Sequence, residues 1–126
     1  MKKTVIKLWR DKYYVEVRLY KTVEEVQKAT KDKTCAGMYR PEPYTIYPRV
    51  KIPLKLGIIY LAKRKLGVGY IAHEALHCVF DYGHKVVNGT NDLLDIEDME
   101  KQEILCGEQG YITKEICNWL NDNKLW

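Results

Sequence analysis

The chain has 126 residues, is 46% hydrophobic and 30% charged, and carries a net charge of +4 at pH 7. This length allows one domain with a single core, and the composition fits a soluble globular protein. Charges at Lys7, Arg10 and Asp11 interrupt the apolar run near the amino terminus, so we expect no export signal and no membrane span. We therefore expect one domain over residues 1–126, located in the cytoplasm.

The cysteines agree with an intracellular setting. The four of them, Cys35, Cys78, Cys106 and Cys117, form no C-x-x-C pair, so we expect no thiolate zinc knuckle. Cys78 and Cys106 fall within apolar helical patterns, where a free cysteine behaves as a small hydrophobic residue. We expect both to be buried and all four to be reduced.

The net charge conceals a division between the two parts of the chain. Residues 1–70 carry seventeen basic and six acidic side chains, and residues 71–126 carry four basic and eleven acidic ones. The net charges are therefore +11 and −7. Such an asymmetry is usually a solvated surface, and it also allows nucleic acid to bind the basic amino-terminal half.

The first segments predict a β-hairpin followed by a short helix. Residues 4–9 and 13–20 are rich in β-branched and aromatic side chains, and the three residues between them have the right length for a hairpin turn. Thr22 and Glu25 have the spacing of a capping box, in which each side chain bonds a free backbone N–H at the start of a helix. A helix from there to about Thr30 is expected.

Two segments of different composition follow, over residues 38–48 and 54–65. Residues 38–48 contain three prolines and three tyrosines, which predicts an edge strand or an irregular loop. Tyr44 and Tyr47 are candidates for stabilising an oxyanion, although tyrosines more often serve as amphipathic packing. Residues 54–62 predict a strand whose free backbone groups could pair with an extended peptide, and the basic turn 63–65 follows it.

An H-E-x-x-H motif follows on an amphipathic helix that ends at Gly83. It uses two of the three histidines of the chain, His73 and His77, with Glu74 between them. Apolar residues recur around it at helical spacing: Val68, Ile71, Ala72, Ala75, Leu76, Val79 and Phe80. Residues four apart lie on one face of a helix, so both imidazoles can converge on a single ion.

The chemistry of this motif favours zinc. Two neutral imidazoles suit a borderline-soft ion, and a site with one further protein ligand keeps a position open for water. Glu74 is then the candidate general base for that activated water. A peptide bond is the expected substrate.

The carboxyl-terminal part predicts a polar loop and a long helix. The loop runs from His84 to Thr90, and Asn91 or Asp92 could cap a helical region from Leu93 to Leu120. Acidic residues crowd its first turns, where they are favourable. Two glycines in its interior, Gly107 and Gly110, indicate close helix packing or a kink.

The third metal ligand has two candidates from the residues alone. One is His84, but a metzincin motif would place this histidine one position earlier and would have glycine at Phe80. The other is Glu103 on the last helix, which lies beside apolar residues, where a carboxylate needs a partner. An exposed Glu103 without a ligand role is the simpler alternative.

His73-Glu74-Ala75-Leu76-His77 together with residues 103–112 resembles the small zincin-like proteins of bacteriophages and prophages. In that family an H-E-A-x-H helix precedes a second helix with a Glu-Ala-Leu-Ala-like stretch and an apolar continuation containing glycine. The resemblance covers residues 68 to about 117. It implies a phage-type gluzincin in which His73, His77 and Glu103 bind zinc and Glu74 is the base.

This chain has Ile104-Leu105-Cys106 where the family has smaller residues. The register of the third ligand therefore stays open, with Glu100 and Glu108 as alternatives to Glu103. The implied architecture is α+β: a small, twisted, mostly antiparallel sheet of about four strands, packed on the motif helix and a carboxyl-terminal backing helix.

The expected function is that of a zinc-dependent hydrolase, a small metallopeptidase acting on a peptide or protein. Two alternatives remain. The first is a zinc-bearing phage protein without catalysis that binds or inhibits a host factor. The second is a nucleic-acid-associated protease resembling the SprT family, which the basic amino-terminal half would favour.

Overall fold

The structure, a computed structural model, describes residues 1–8, 11–42, 53–84 and 99–126. The secondary-structure elements are, in chain order, β1 (Lys2–Leu8), β2 (Tyr13–Tyr20), α1 (Val23–Thr30), β3 (Met38–Pro41), β4 (Leu54–Ala62), a 3₁₀ turn (Lys63–Lys65), α2 (Val68–Tyr82) and α3 (Met99–Asp122). The predicted α+β class is confirmed.

The four strands form one sheet in the order β1-β2-β4-β3. The predicted hairpin is present, because β1 and β2 pair antiparallel, and β3 and β4 also pair antiparallel. The central pair, β2 and β4, is parallel. The sheet is therefore mixed and not mostly antiparallel as expected, since the chain crosses over through α1 and β3 before it returns as β4.

The predicted capping arrangement begins α1. The backbone N–H of Glu25 donates to the Thr22 hydroxyl at 3.2 Å, and the Glu25 carboxylate accepts from the backbone N–H of Lys21 at 2.9 Å. The carboxylate thus reaches the residue before the cap instead of the cap itself. The helix spans Val23–Thr30, as the sequence predicted.

The sheet lies between two helical layers. On one face, α2 and α3 cover the main core; its fully or nearly buried side chains are Ile6, Leu8, Val15, Val17, Leu19, Leu56, Ile59, Leu61, Ile71, Ala75, Cys78, Val79, Tyr82, Leu105, Ile112, Ile116 and Leu120. On the other face, α1 covers a smaller cluster of Val26, Ile58, Tyr60 and Ala62. A shift of register between Tyr14 and Val15 leaves Leu56 as an extra residue in β4. This bulge places Leu56 on the same face as Ile59 and Leu61.

The position of β4 contradicts one expectation. Residues 54–62 were expected to offer free backbone groups to a peptide, but β4 is an interior strand with β2 on one side and β3 on the other. The edges of the sheet are β1 and β3. The short β3 is the edge strand that the proline-rich segment predicted, while residues 43–48, including Tyr44 and Tyr47, lie outside the described residues.

The last helix differs from its prediction in detail. It is continuous over Met99–Asp122, whereas residues 85–98, which include the expected start and cap, lie outside the described residues. Gly107 and Gly110 face open space, so neither marks close helix packing. Cys78 is buried as predicted, but Cys106 is exposed, because it lies on the outer face of α3.

Within the described ranges, no helix has the length and apolar character needed to cross a membrane.

Candidate metal centre

The motif helix α2 places both predicted histidines on its exposed face. The Nε2 atoms of His73 and His77 lie 3.3 Å apart, and the two rings meet edge to face with their centroids 5.0 Å apart. Both side chains are exposed. Without a metal, one ring can donate its Nε2–H to the other, so the two nitrogens are already turned towards a common point.

The spacing of these nitrogens fits a zinc ion. Zinc–nitrogen bonds of about 2.0–2.1 Å in a tetrahedral arrangement place two ligand nitrogens about 3.3–3.4 Å apart. The donors of the pair are also of the right type, because neutral imidazole is a common zinc ligand. The separation of the two nitrogens is therefore the one expected of adjacent zinc ligands.

Glu74 points away from solvent, towards the strand side of α2. Only 4% of the residue is exposed, and its Oε2 atom has no hydrogen-bond partner among the described residues. Burial raises the pKa of Glu74, while His77, His73 and a hydrogen bond from the backbone N–H of Tyr39 act in the opposite direction. A buried carboxylate oxygen without a partner is unusual, and it is typical of a functional site.

The segment before β3 forms a wall against Glu74. A β-carbon added at Gly37 would lie 2.8 Å from the Tyr70 ring and 3.6 Å from Glu74 Oε1, so only glycine fits this close approach. The Tyr70 ring also lies beside His73, with centroids 6.5 Å apart. Gly37 and Tyr70 thus narrow the space around the carboxylate.

A second contact joins β3 to α2 beyond the histidines. The phenol oxygen of Tyr39 lies within hydrogen-bond distance of the Asp81 carboxylate and 3.0 Å from the Leu56 carbonyl oxygen. Burial raises the pKa of Tyr39, and Cys78 and Asp81 add to this effect. The phenol is therefore a hydrogen-bond donor at neutral pH, and the charged Asp81 is its stronger acceptor.

The structure does not bring the proposed third ligand to the histidines. Glu103 is exposed on α3, and it lies two positions before the buried Leu105, a rotation of about 200° around the helix axis. In the part of the chain that the structure describes, no three His, Cys, Asp or Glu side chains form a group that could hold a metal ion.

Within the same described ranges, none of the alternative third ligands joins the histidine pair in such a group. Glu100 is exposed on the first turn of α3. Glu108 is half-buried, and burial raises its pKa. Its negative charge helps to raise the pKa of Tyr82 in the core. His84 follows His77 by seven residues, which corresponds to about 10 Å along a helix axis.

The residue of α3 that does reach the motif is Gln109. Its side-chain amide donates to the carbonyl oxygen of Ala72, the residue before His73, at 3.2 Å. The contact fixes α3 against the backbone of the motif helix. It also shows that the face of α3 turned towards α2 is the one that carries Gln109 and Leu105, and not the one that carries Glu103.

The sequence motif indicated His73, His77 and Glu74, and it did not indicate four residues that the structure places around them. One of the four had a local signal: Tyr70 precedes His73 by three positions, so helical spacing places it on the same side of α2. The others, Gly37, Tyr39 and Asp81, come together only through the pairing of β3 with β4. No local pattern could have indicated them.

Comparison of the chain with protein-family models, with curated proteins and with solved structures found no match. The resemblance to phage zincin-like proteins therefore remains an expectation.

Proposed function

We propose that this chain is a zinc-dependent hydrolase of the metallopeptidase type, in which His73 and His77 bind the metal and Glu74 is the general base. One observation carries the proposal. Two imidazole nitrogens lie at the separation expected of adjacent zinc ligands, beside a buried carboxylate with an unpartnered oxygen. Glu103 is the proposed third ligand on the strength of the resemblance alone.

The roles follow from the positions of the side chains. Bound zinc would supply Lewis acidity, polarising a substrate carbonyl and lowering the pKa of water. Glu74 accepts the proton of the attacking water and later donates it to the leaving amine. Its burial suits this role, because a carboxylate with a raised pKa is a stronger base and holds the proton more readily between the two steps.

The first experiment measures metal content by elemental mass spectrometry on protein purified without an affinity tag. We expect about one zinc per chain in the wild type and a strong loss in His77→Ala. The control is Glu24→Ala, which removes an exposed carboxylate of α1 and should keep its zinc. Absence of zinc from the wild type after reconstitution would reject the proposal.

The same measurement on Glu103→Ala decides the third ligand. Loss of zinc would support Glu103 despite its exposed position, and retention would assign the role elsewhere. Glu100→Ala, Glu108→Ala and His84→Ala are the corresponding variants for the three alternatives.

A second experiment tests catalysis separately from metal binding. Wild type and Glu74→Gln, both loaded with zinc, are incubated with a mixture of peptides, and products are followed by mass spectrometry. We expect Glu74→Gln to keep its zinc and to lose cleavage by roughly 100-fold or more, since general base catalysis contributes about that much. Absence of cleavage by the zinc-loaded wild type would instead favour a zinc-bearing binding protein without catalysis.

A nucleic-acid-associated protease is the second candidate, and one observation favours it. The basic turn Lys63–Lys65 is exposed and leads directly into α2, so a bound polyanion would lie close to the start of the motif helix. Binding to DNA should then weaken steeply with salt and should be reduced by replacing this turn with alanines. Absence of salt-dependent binding would remove this candidate.

A further inference from the structure

We propose that one end of the sheet, here called the basic end, binds the phosphate backbone of duplex DNA. It consists of seven cations from three separate segments of the chain: Lys2, Lys3, Arg18, Lys21, Lys63, Arg64 and Lys65. This role needs neither the metal nor Glu74, so it goes beyond the hydrolase. It rests on the nucleic-acid candidate, and it adds residues of β1 and β2 to the basic turn named there.

The pairing of the strands brings the three segments together. In the hairpin, Lys3 lies opposite Arg18. In the parallel pair, Tyr20 at the end of β2 lies opposite Ala62 at the end of β4. A lysine follows Tyr20, and the turn of three basic residues follows Ala62. Neighbouring strands are about 4.8 Å apart, so the three segments lie within roughly 10 Å of one another across the sheet.

The cations of the basic end are turned to solvent. All of them except Arg18 are exposed. Among the described residues, only Arg18 of the seven takes part in a salt bridge, which it makes with Glu16. Like charges that are held this close repel one another. The folded chain therefore concentrates positive charge here that an anionic partner would offset.

The elements that meet at the basic end supply few negative charges. β1, β4 and the turn contain no acidic side chain, β2 contains Glu16, and α1 contains Glu24 and Glu25. Arg18 binds Glu16, and its guanidinium also lies 5.8 Å from the centroid of the Tyr60 ring. Seven basic side chains thus compare with three acidic ones, of which one is already paired. The basic end is strongly electropositive.

The charge density of this surface matches that of duplex DNA. A duplex carries one negative charge per about 1.7 Å of its axis, so about six charges lie within 10 Å. This is close to the number of exposed cations that the basic end holds over the same distance. Ammonium and guanidinium groups are donors only, and they bond phosphate oxygens without reading bases. We therefore expect the binding to be independent of DNA sequence.

Two other anionic partners fit this surface less well. A single strand is usually held by aromatic rings on which its bases stack. Of the two rings at this end, Tyr60 is only 4% exposed, and Tyr20 stacks on it with the centroids 6.2 Å apart. Membrane surfaces are bound by basic residues together with an exposed apolar helix face. The adjoining helix α1 turns Val26 into the core instead.

Fluorescence anisotropy with a labelled DNA duplex of about 20 base pairs tests the assignment. One variant combines Lys2→Gln with Lys3→Gln, and the other replaces the three residues of the turn Lys63–Lys65 by glutamine. We expect each to bind roughly tenfold or more weakly than the wild type at 0.1 M NaCl. Each phosphate contact contributes about 0.9 to the slope of log K against log salt, so the slope should fall by about 1.8 in the β1 variant.

The matched control combines Lys7→Gln with Lys12→Gln. It removes two exposed lysines from the same hairpin, so its net charge changes as much as that of the β1 variant. Lys7 lies about 17 Å along the strand from Lys2, beyond the screening length of about 10 Å at this salt concentration. Affinity and slope should stay close to those of the wild type. An equal loss of binding in the control would reduce the effect to net charge and overturn the proposal.

The remaining outcomes separate this surface from the functions proposed above. If the turn variant loses binding and the β1 variant does not, the composite surface is overturned and the nucleic-acid candidate survives. If the wild type shows no salt-dependent binding to DNA, both fail, while zinc content and peptide cleavage still decide the hydrolase. Tighter binding to a single strand or to an RNA duplex of the same length would overturn the assignment to duplex DNA. Binding to vesicles of phosphatidylcholine and phosphatidylserine without binding to DNA would do the same.

Discussion

At the scale of single residues, Glu74 combines two costly properties. It is 4% exposed, and its Oε2 atom has no partner in the described part of the chain. A buried polar atom without a hydrogen bond costs on the order of 1–3 kcal/mol, and more when the group is charged. Burial therefore makes the charged carboxylate less favourable than it is in water, which is why it raises the pKa of Glu74.

This gives a prediction about stability and pH. Because the pKa of Glu74 is higher in the folded protein than in the unfolded chain, the folded state binds more protons between the two values, and stability falls as pH rises through them. Glu74→Gln removes this loss. In the metal-free protein, its Tm should exceed that of the wild type by an amount that grows as the pH rises above about 4.

The control is Glu103→Gln, because Glu103 is exposed. Its Tm relative to the wild type should not change with pH in the same range. If the Tm difference between Glu74→Gln and the wild type stays constant or decreases as the pH rises, the buried state of this carboxylate is contradicted.

At the scale of elements, β3 packs closely against β4 at Gly57, a position without a side chain. A β-carbon added at Gly57 would lie 2.5 Å from both the Arg40 carbonyl oxygen and the Tyr39 phenol oxygen. Glycine is therefore required at this point for steric reasons. The Tyr39 ring occupies the space that any other residue at position 57 would need.

Gly57→Ala should accordingly destabilise the protein by about 1–3 kcal/mol, the usual cost of overpacking a close contact. Chemical denaturation measures the effect through the midpoint and slope of the unfolding curve. A variant as stable as the wild type would show that β3 can move away from β4 without loss.

Gly110→Ala should have the opposite effect. Gly110 lies inside α3 and faces open space, so an added methyl group meets nothing. Alanine is favoured over glycine within a helix by about 0.8–1.0 kcal/mol, and the variant should gain roughly that much stability in the same denaturation experiment. A loss of stability would indicate that this part of α3 is not a regular helix.

The elements that sequence predicted best are those defined by local patterns. The hairpin, α1 with its cap at Thr22 and the motif helix all rest on spacings within one segment. The parallel pairing of β2 with β4 joins Tyr13 to Leu54, far apart in the chain, and no local pattern encodes it. The expectation of a mostly antiparallel sheet failed for this reason.

The same distinction holds within the site. His73 and His77 converge because residues four apart share a helix face, which sequence alone determines. The direction of Glu103 depends on how α3 is rotated against α2, which is a property of tertiary packing. Tyr39 and Asp81 are 42 positions apart and meet only because β3 folds onto α2.

At the scale of the whole molecule, a metal bound at the histidine pair would add to the stability of the folded chain. Ligands that bind only the folded state stabilise it, by about 2.7 kcal/mol when their concentration is 100 times Kd. We therefore expect zinc to raise the Tm of the wild type and to leave the Tm of His77→Ala unchanged. Thermal denaturation with and without the metal measures both.

Cys106 requires a control in this experiment. It is exposed, and thiols of the unfolded chain also bind zinc, which would reduce the apparent stabilisation. Cys106→Ser should preserve the zinc-dependent rise in Tm if the histidines are responsible. Loss of the rise in this variant, with retention in His77→Ala, would place the metal at the thiol.

The two edges of the sheet have a consequence for self-association. The outward edge of β3 offers few hydrogen-bonding groups to an incoming strand, because the strand is only four residues long and Pro41 has no N–H to donate. The other edge, β1, carries exposed lysines at Lys2, Lys3 and Lys7, which repel a like-charged copy. Among the described strands, neither edge is therefore a favourable template for fibril growth or strand exchange.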